Sequence, residues 1–462
     1  MSIKKRLLLF FFFILVILTS TTSYILLKRS SIYPYQVDND YKYSFTHSSA
    51  KTIDLKLKEG IILLPQNLDY TQQTFFIKID LNTTFLGRYL LPSVKISDNN
   101  KTVTQYFEHG AKGIRYLNVS ALFNNKTTQL TIKGKHISLN DQSIQLITFS
   151  NPKIKEKKVL IIAPHPDDAE IAAYGLYSNI KDTYIVTITA GDAGPRKYDE
   201  IYTDKVKQYF KKGEVRTWNS ITVPLLAKVP AEHLLNLGFF DGTLYPMYQD
   251  KSLIASGHYI KTSDITTFRK QNFSTLSQGL TGKSNWDSLV KNLEYLLQTI
   301  EPDVIVTPYP KLDAHHDHKL STIAIIEAIK NINLKKGALY LYTNHLVLNH
   351  YYPYGKMGGV ISLPPSFKEH LYFDSIYSHT LSADDQKDKI LAFDAMSDLR
   401  PNTEWRFTQS AIKHAQDNIH RDIMGDENSY YKRAVRDNEL FFVIDIPNLY
   451  NKEVLKEIIG QL

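Results

Sequence analysis

The sequence predicts an α/β protein in which a doubly wound, mostly parallel sheet follows a small all-β, sandwich-like domain and an N-terminal transmembrane helix. Three patterns predict this order. The chain opens with an apolar run, continues over residues 51–150 with short β-rich runs, and then alternates buried strands with amphipathic helices. Its 462 residues, 43% of them hydrophobic and 22% charged, suffice for two or three folded units.

The N-terminal apolar run, Leu7–Leu27, follows three basic residues. Its length is close to the roughly 20 residues that a helix needs to cross a bilayer core. Two interpretations of residues 1–29 stay open: an uncleaved anchor with its N-terminus inside, or a cleaved signal peptide with Leu7–Leu18 as its apolar core. We favour the anchor because no clear Ala-x-Ala cleavage site follows. Either way, the remainder of the chain is expected on the extracytoplasmic side, which is the periplasm or the cell surface if the source is bacterial.

Residues 30–50 are polar and are predicted to form a stalk. Residues 51–150 are predicted to form an all-β sandwich, because short β-rich runs alternate there with turn clusters such as Ser97–Asn100. The clearest runs are Thr74–Ile79, Ile114–Val119, Gln129–Lys133 and Ser143–Phe149. No residues of catalytic type cluster in this domain, so a spacer or packing role is favoured over sugar binding.

Residues 157–462 have an α/β pattern. Val159–Ala163 is a continuous apolar run typical of a buried parallel strand, and Asp167–Ile180 is predicted to be the helix that follows. Trp286–Ile300 has the spacing of a strongly amphipathic helix, and Val304–Thr307 is the next predicted strand. This alternation predicts a Rossmann-like sheet. We expect no nucleotide cofactor, since no Gly-x-Gly-x-x-Gly follows the first strand.

Composition excludes several kinds of site. The chain has no cysteine, which excludes disulfides, thiol nucleophiles and Cys-ligated zinc. The net charge is +8, but the basic residues are scattered beyond the N-terminus. We therefore expect no nucleic-acid partner, since such proteins concentrate their positive charge in a footprint.

Imidazole and carboxylate side chains follow two of the predicted strands. The first strand leads into His165, Asp167 and Asp168, and a later strand leads into the run Asp313–His318. Because the carboxyl ends of parallel strands share one edge of the sheet, we expect these two clusters to meet there. Histidine and aspartate donors without cysteine suit a zinc site that keeps an open position for water.

Simpler interpretations of the same residues exist. Asp167 has the residue type and position of a plain helix N-cap, and the histidines near residue 316 fit a solvated turn before a helix. Asp192 and Asp241 are either substrate contacts or ordinary turn residues beside glycine. The joint placement of both clusters at strand ends favours a functional site over these alternatives.

Together these segments resemble the PIG-L/LmbE family of zinc-dependent N-acetylglucosaminyl deacetylases. The resemblance spans about Val159 to Leu399. Its motifs occur in the family's order, at His165–Glu170, Thr187–Gly194, Leu237–Gly242 and His315–His318.

The resemblance implies one zinc ion per chain with His165, Asp168 and His318 as its ligands. A site of two histidines and one aspartate also accepts other divalent metals, such as iron or cobalt. Glu170 is expected to support the site from outside the ligand set.

Catalytic roles are also implied by the resemblance. Asp167 becomes the general base, and His315 becomes the imidazolium that stabilises the oxyanion or protonates the leaving amine. Asp317 is expected to orient His315. Asp192 and Asp241 stay candidate substrate contacts, with the turn interpretation open for both.

The sequence departs from the family pattern in two places. His316 stands where proline is usual, and we interpret it as a surface residue rather than a further ligand. The family's Arg-x-x-Glu is at best Lys211–Glu214 here, which puts substrate contacts from that helix in doubt. His345 and His350 follow a predicted strand, where a structural role is favoured over a place in the site.

The resulting hypothesis is zinc-dependent hydrolysis of the N-acetyl group of an N-acetylated amino sugar, in a cell-surface or envelope glycan or glycolipid, with release of acetate. The alternatives are a zinc hydrolase of another amide or ester, and an inactive glycan-binding module. The expected partners are the glycan substrate and, through the N-terminal helix, a membrane.

Overall fold

The structure is a computed structural model of the chain. It describes residues 2–66, 68, 74–124, 127–151, 153–195, 197–199, 201–349, 351–368, 371–399 and 433–460.

The N-terminal apolar run forms one helix, α1, over Ile3–Ile32. Its segment Ile3–Tyr24 is long and apolar enough to cross a membrane and is exposed along its length, although a signal sequence passes the same test. The segment predicted to be a stalk lies against the body of the protein. Tyr43 is buried, and the backbone N–H of Lys42 donates to Ser366 O at 2.6 Å.

Residues 51–149 form a single antiparallel sheet of nine strands. The strands are β1 (Lys51–Lys58), β2 (Ile61–Leu63), β3 (Thr74–Thr83), β4 (Ser93–Ser97), β5 (Thr102–Tyr106), β6 (Lys112–Asn118), β7 (Gln129–Lys135), β8 (Ile137–Ser138) and β9 (Gln142–Phe149). They pair in the order β5-β4-β7-β2-β1-β9-β3-β6, and β8 pairs with β3.

This sheet curls until its two end strands approach each other. Gln105 of β5 donates to Tyr116 O of β6 at 2.8 Å and accepts from the N–H of Asn118 at 3.0 Å. The strands predicted from the sequence are present, but the two separate sheets of a sandwich are not what the described residues form. One curled sheet encloses the core instead. Hydrogen bonds of the Gln105 side chain, rather than backbone pairing, join its two end strands.

The described residues that follow, between 153 and 460, are built on a mixed sheet of seven strands. They are β10 (Val159–Ala163), β11 (Thr183–Thr189), β12 (Leu234–Phe239), β13 (Val304–Pro308), β14 (Ala338–Tyr342), β15 (Ser375–Thr380) and β16 (Asn438–Asp445). The order is β12-β11-β10-β13-β14-β16-β15, and the first five strands pair in parallel. The prediction of a mostly parallel sheet therefore holds for these five, whereas β16 pairs antiparallel with both β14 and β15.

Helices cover both faces of this sheet. They are α2 (Asp168–Ser178), α3 (Lys205–Thr222), α4 (Leu244–Gln249), α5 (Thr266–Arg269), α6 (Trp286–Ile300), α7 (His316–Asn331), α8 (Ala383–Ala395) and α9 (Lys452–Ile459). Alternate residues of β10 enter different cores: Leu160 packs with α6 and α7, and Ile161 packs with α2 and α8. A strand buried on both faces needs the continuous apolar run that the sequence shows.

The two sheets meet at β15. The amide of Asn118 donates to Ser378 Oγ at 2.9 Å, and the N–H of Ser378 donates to Thr74 Oγ1 at 3.0 Å. The curled sheet therefore lies over the edge strand of the mixed sheet, which protects that edge from pairing with another chain.

Candidate metal and active site

The site lies where β10 and β13 end. These neighbouring parallel strands lead directly into the starts of α2 and α7, which carry the two histidine and aspartate clusters. The clusters meet, as the strand-end argument predicts. His318 Nε2 lies 3.3 Å from His165 Nδ1 across 153 residues of sequence.

The three predicted ligands form a compact triangle of donor atoms. Asp168 Oδ2 lies 3.1 Å from His165 Nδ1 and 3.1 Å from His318 Nε2, and the two nitrogens are 3.3 Å apart. Tetrahedral ligands at about 2.0–2.1 Å from zinc are themselves separated by about 3.3 Å. These spacings fit a tetrahedral metal with one position left open.

Asp313 and Asn344 each contact one of the predicted ligands outside the triangle. Asp313 Oδ2 lies 3.0 Å from His318 Nδ1, which leaves the opposite nitrogen, Nε2, directed at the triangle. The amide of Asn344 donates to Asp168 Oδ1 at 2.8 Å. Such partners orient metal ligands. Asp313 belongs to the run seen in the sequence without a role assigned, and nothing local to Asn344 indicates its contact.

Asp167 occupies the N-cap position of α2 without acting as a cap. Its side chain caps no N–H of the helix, and its φ of 107° is left-handed, a strained backbone for a residue other than glycine. Its Oδ2 lies 3.1 Å from Arg216 Nη2, which also lies 2.8 Å from Asp398 Oδ2. Burial and the charge of Asp398 raise the pKa of Asp167 well above its ordinary value, although Arg216 opposes the shift.

His315 caps α7 through its ring. Its Nδ1 accepts the backbone N–H of Asp317 at 3.2 Å, and its ring centroid lies 4.8 Å from that of His165. Burial, followed by the charges of His165 and His318, lowers the pKa of His315. These shifts favour the neutral ring, and the catalytic role of His315 stays a prediction.

The side chain of Asp317 makes contacts other than the predicted one with His315. Its carboxylate accepts from Gly242 N at 2.7 Å and from Leu244 N at 3.3 Å, and it lies 3.4 Å from His165 Nε2. Only its backbone N–H bonds His315. Asp317 thus ties the loop after β12 to the site, because its side chain points towards that loop.

The two candidate substrate contacts behave differently. Asp241 Oδ1 lies 3.2 Å from His165 Nε2, and its side chain is 13% exposed. Asp192 is fully buried and accepts the N–H of Asp241 at 2.9 Å, while burial raises its pKa to about 7. The expectation of a substrate contact fails for Asp192, because it lies beneath Asp241 with no exposed surface.

The remaining predicted residues lie around this centre. Glu170 is buried and accepts from the hydroxyl of Tyr177 at 3.1 Å; its supporting role stays a prediction. His316 is exposed, as predicted. His345 can share a cation with Asp168 and His318, which brings it closer to the site than expected. His350 lies outside the described residues.

Helix α3 contributes more than the sequence indicated. Lys211 pairs with Glu214 at 2.6 Å, and both side chains are partly exposed. Arg216 instead donates to Pro166 O at 2.6 Å and pairs with Asp167, and Lys212 donates to Pro195 O at 3.0 Å. The Arg-x-x-Glu pattern does not identify Arg216, because Arg216 lies C-terminal to the matching segment Lys211–Glu214.

Charge balance favours a bound cation. Burial alone would lower the pKa of His318, yet Asp168 and Asp313 outweigh it and raise the pKa to about 10. Burial is likewise overcome at His165, mainly by Asp241 and Asp168, and its pKa lies well above its usual value. Carboxylates thus exceed the permanent positive charges at this centre, and a dication would neutralise the excess.

The chain matches a known family over this region. The family model described as "PIG-L: GlcNAc-PI de-N-acetylase" matches residues 160–329, the segment that contains both metal motifs. The resemblance predicted from those motifs is confirmed. No protein in the curated set matches the chain.

Several solved structures are similar to part of this chain. The A40926 pseudoaglycone deacetylase Dbv21 is 15% identical with a TM-score of 0.32, covering 62% of this chain and 97% of its own. The zinc-inhibited form of teicoplanin deacetylase Orf2 is 14% identical with a TM-score of 0.32, covering 62% and 98%. The 4-carboxy-2-hydroxymuconate hydratase GalB from Pseudomonas putida is 16% identical with a TM-score of 0.30, covering 62% and 96%. Similarity at this level carries no argument about activity.

Proposed function

We propose that this chain is a metal-dependent deacetylase that hydrolyses the N-acetyl group of an N-acetylated amino sugar. The observation that carries the proposal is the triangle of His165 Nδ1, Asp168 Oδ2 and His318 Nε2, with separations of 3.1, 3.1 and 3.3 Å. The match of this region to a de-N-acetylase family model supports an amide as the bond that is cleaved.

His165, Asp168 and His318 would hold one divalent ion, with zinc as the first candidate for this donor set. When bound, such an ion supplies a Lewis acid that polarises an amide carbonyl and acidifies water. Asp313 and Asn344 keep the ligands oriented through their contacts with His318 and Asp168.

Asp167 would take the proton from the attacking water. It is 13% exposed while the ligand Asp168 is 2% exposed, so Asp167 is the more accessible of the adjacent pair. Its raised pKa makes its carboxylate a stronger base than an ordinary aspartate. Arg216 fixes its side chain with a charged hydrogen bond at 3.1 Å.

His315 would act as a neutral donor. Since its Nδ1 accepts a backbone N–H, the neutral ring carries its proton on Nε2. That N–H can donate a hydrogen bond to the oxyanion of the tetrahedral intermediate. Asp167 would pass the proton that it takes from the water to the leaving nitrogen, which must be protonated for the C–N bond to break. The amine and acetic acid that result would ionise in water to the protonated amine and acetate.

The substrate we propose is an acetamido sugar of a glycan or glycolipid near a membrane, on its extracytoplasmic side. Asp241, close to His165 and partly exposed, is the carboxylate placed to accept a sugar hydroxyl. Helix α1 would be the anchor, which brings membrane-proximal glycans within reach.

The test combines metal analysis with acetate release from a panel of N-acetylhexosamine glycans. We expect about one metal ion per chain, and acetate release that chelation abolishes and zinc restores. Asp167→Asn should retain the metal and lower kcat by about 10²–10⁴-fold.

Full activity of metal-loaded Asp167→Asn would disprove the role of the base. Glycan binding without acetate release, on a metal-loaded chain, would favour an inactive binding module. Release of acetate from simple esters but from no acetamido sugar would favour a different hydrolase.

A further inference from the structure

The end of helix α1 is fixed to the folded body. Ile32 and Tyr33 are 2% and 7% exposed. The Tyr33 hydroxyl lies 3.1 Å from His109 Nδ1, and its ring packs edge-on against Tyr354 with centroids 5.9 Å apart. The apolar helix therefore leaves the body at a defined place rather than from a free linker.

The turn that contains His109 also holds a second loop, Thr84–Leu90, which we call the apolar loop. Gly110 donates its N–H to Gly87 O at 2.9 Å. On its other side, Gly87 lies so close to His136 that a Cβ at this glycine would be 2.4 Å from His136 O. The apolar loop is thus held one backbone contact away from the turn that binds the end of α1.

The apolar loop presents large apolar side chains to solvent. Phe85, Leu86 and Leu90 are 71%, 53% and 39% exposed. Arg88 lies among them and is also exposed, and the ring of Tyr89 lies 5.4 Å from that of Phe85. Aromatic and aliphatic groups beside a basic residue are typical of segments at a membrane interface, where the rings enter the acyl boundary and the cation meets phosphates.

We propose that the apolar loop Thr84–Leu90 inserts into the surface of the same bilayer that α1 crosses. The occupant is lipid because the loop is continuous, through Gly110 and His109, with the point at which the apolar helix leaves the body. Arg88 favours anionic headgroups at this contact. This inference rests on the anchor interpretation of α1 in the proposed function.

A second contact changes what the anchor does. A single helix fixes the distance of the protein from the membrane, whereas a helix and a separate inserted loop together also fix its tilt. The α/β part would then face the membrane in one orientation.

The chain has no cysteine, so one introduced cysteine can carry an environment-sensitive fluorophore. The variants are Phe85→Cys and, as a matched control, Phe273→Cys; Phe273 is 56% exposed and lies beside Trp218 in the α/β part. The full chain is reconstituted into vesicles of phosphatidylcholine and phosphatidylglycerol. We expect a blue shift at position 85 with quenching by headgroup-proximal spin-labelled lipid, while position 273 stays open to aqueous iodide.

Each failure has its own signature. Equal iodide quenching at both positions, in protein that floats with the vesicles, would overturn the inserted loop and leave the anchor standing. Protein that does not float with vesicles would overturn both the anchor and the loop. Acetate release from a soluble glycan by the same variants tests the deacetylase proposal independently, because Phe85 lies in the loop between β3 and β4 and outside the catalytic cluster.

Discussion

Two buried charged clusters in this protein are balanced in different ways. In the curled sheet, Glu108 and Arg115 are 0% and 1% exposed and their Oε2 and Nε atoms lie 3.6 Å apart. The guanidinium also donates to main-chain carbonyls, including Val37 O at 2.6 Å. Tyr35 adds a hydrogen bond to the carboxylate at 3.2 Å. The chain itself supplies a positive partner for the negative charge.

The cluster in the α/β part has no such balance. Asp168, Asp241 and Asp317 all lie within 3.4 Å of nitrogen atoms of His165. These carboxylates depend on imidazoles that must be protonated to offset them. A balanced buried pair is a structural feature, whereas a buried excess of carboxylates points to a cation supplied from outside.

The largest expected effect is the loss of metal on removing a ligand. His318→Ala should weaken metal binding by more than the roughly 10–100-fold that an outer partner costs, measured as bound metal after equilibrium dialysis. The matched control is His316→Ala, because His316 is exposed and lies two residues from His318. This variant should keep the metal. Equal metal content in the two variants would remove His318 from the ligand set.

Substitutions in the Glu108–Arg115 cluster should change the free energy of unfolding rather than metal binding. Glu108→Ala leaves Arg115 buried without its partner charge and should lower the free energy of unfolding by about 3–5 kcal/mol, measured by urea denaturation. The metal content per folded chain should not change. The double variant Glu108→Leu with Arg115→Met should recover much of this loss, and a double variant as unstable as the single one would show that packing, not charge, is at stake.

Metal affinity should rise with pH. The pKa of His318 is raised to about 10 in the metal-free site and that of His165 is raised as well, so both rings hold protons near neutral pH. Binding must displace them, and about two protons released per metal correspond to about 100-fold tighter binding per pH unit. Calorimetry in buffers of different ionisation enthalpy counts these protons. An affinity independent of pH between 6 and 8 would contradict this charge assignment.

The smallest expected effect concerns the support of the ligands. Asp313→Asn keeps the volume beside His318 but removes the charge that orients its ring, and should weaken metal binding by about 10–100-fold without loss of fold. Circular dichroism checks the fold and a competitive chelator titration measures the affinity. A loss as complete as that of His318→Ala would make Asp313 a ligand rather than a supporting residue.

Much of the site could be predicted from the sequence because the signals for it are local. Val159–Ala163 and Trp286–Ile300 are a strand and a helix with the predicted bounds. A strand end followed by a helix start places His165 and Asp168 on one turn, and the order of parallel strands then brings His318 to them. The strand ends predict that the two clusters meet, and the assignment of His165, Asp168 and His318 as ligands comes from the resemblance of their motifs to the PIG-L/LmbE family.

Contacts between side chains of distant elements could not be predicted from these local signals. Arg216 meets Asp167 across 49 residues of sequence, and Asn344 meets Asp168 across 176 residues. Neither pair follows from spacing, because the facing of α3 and the loop after β14 depends on packing. The resemblance implies that Asp317 orients His315, but the Asp317 carboxylate accepts from Gly242 N and Leu244 N instead, because the direction of its side chain also depends on packing.

The sequence by itself determined the apolar helix, the order of strands and helices in the α/β part, and the meeting of the two histidine and aspartate clusters at one edge of the sheet. Hydrophobic periodicity and strand-end placement are sufficient for these features, whereas the choice of metal ligands among these residues is what the family resemblance implies. Tertiary structure alone decided that β5 and β6 close one curled sheet, that Asp192 is buried beneath Asp241, and that the loop Thr84–Leu90 bonds the turn that contacts Tyr33 at the end of α1. These relations depend on how surfaces far apart in the chain pack together, and local patterns carry no record of that packing.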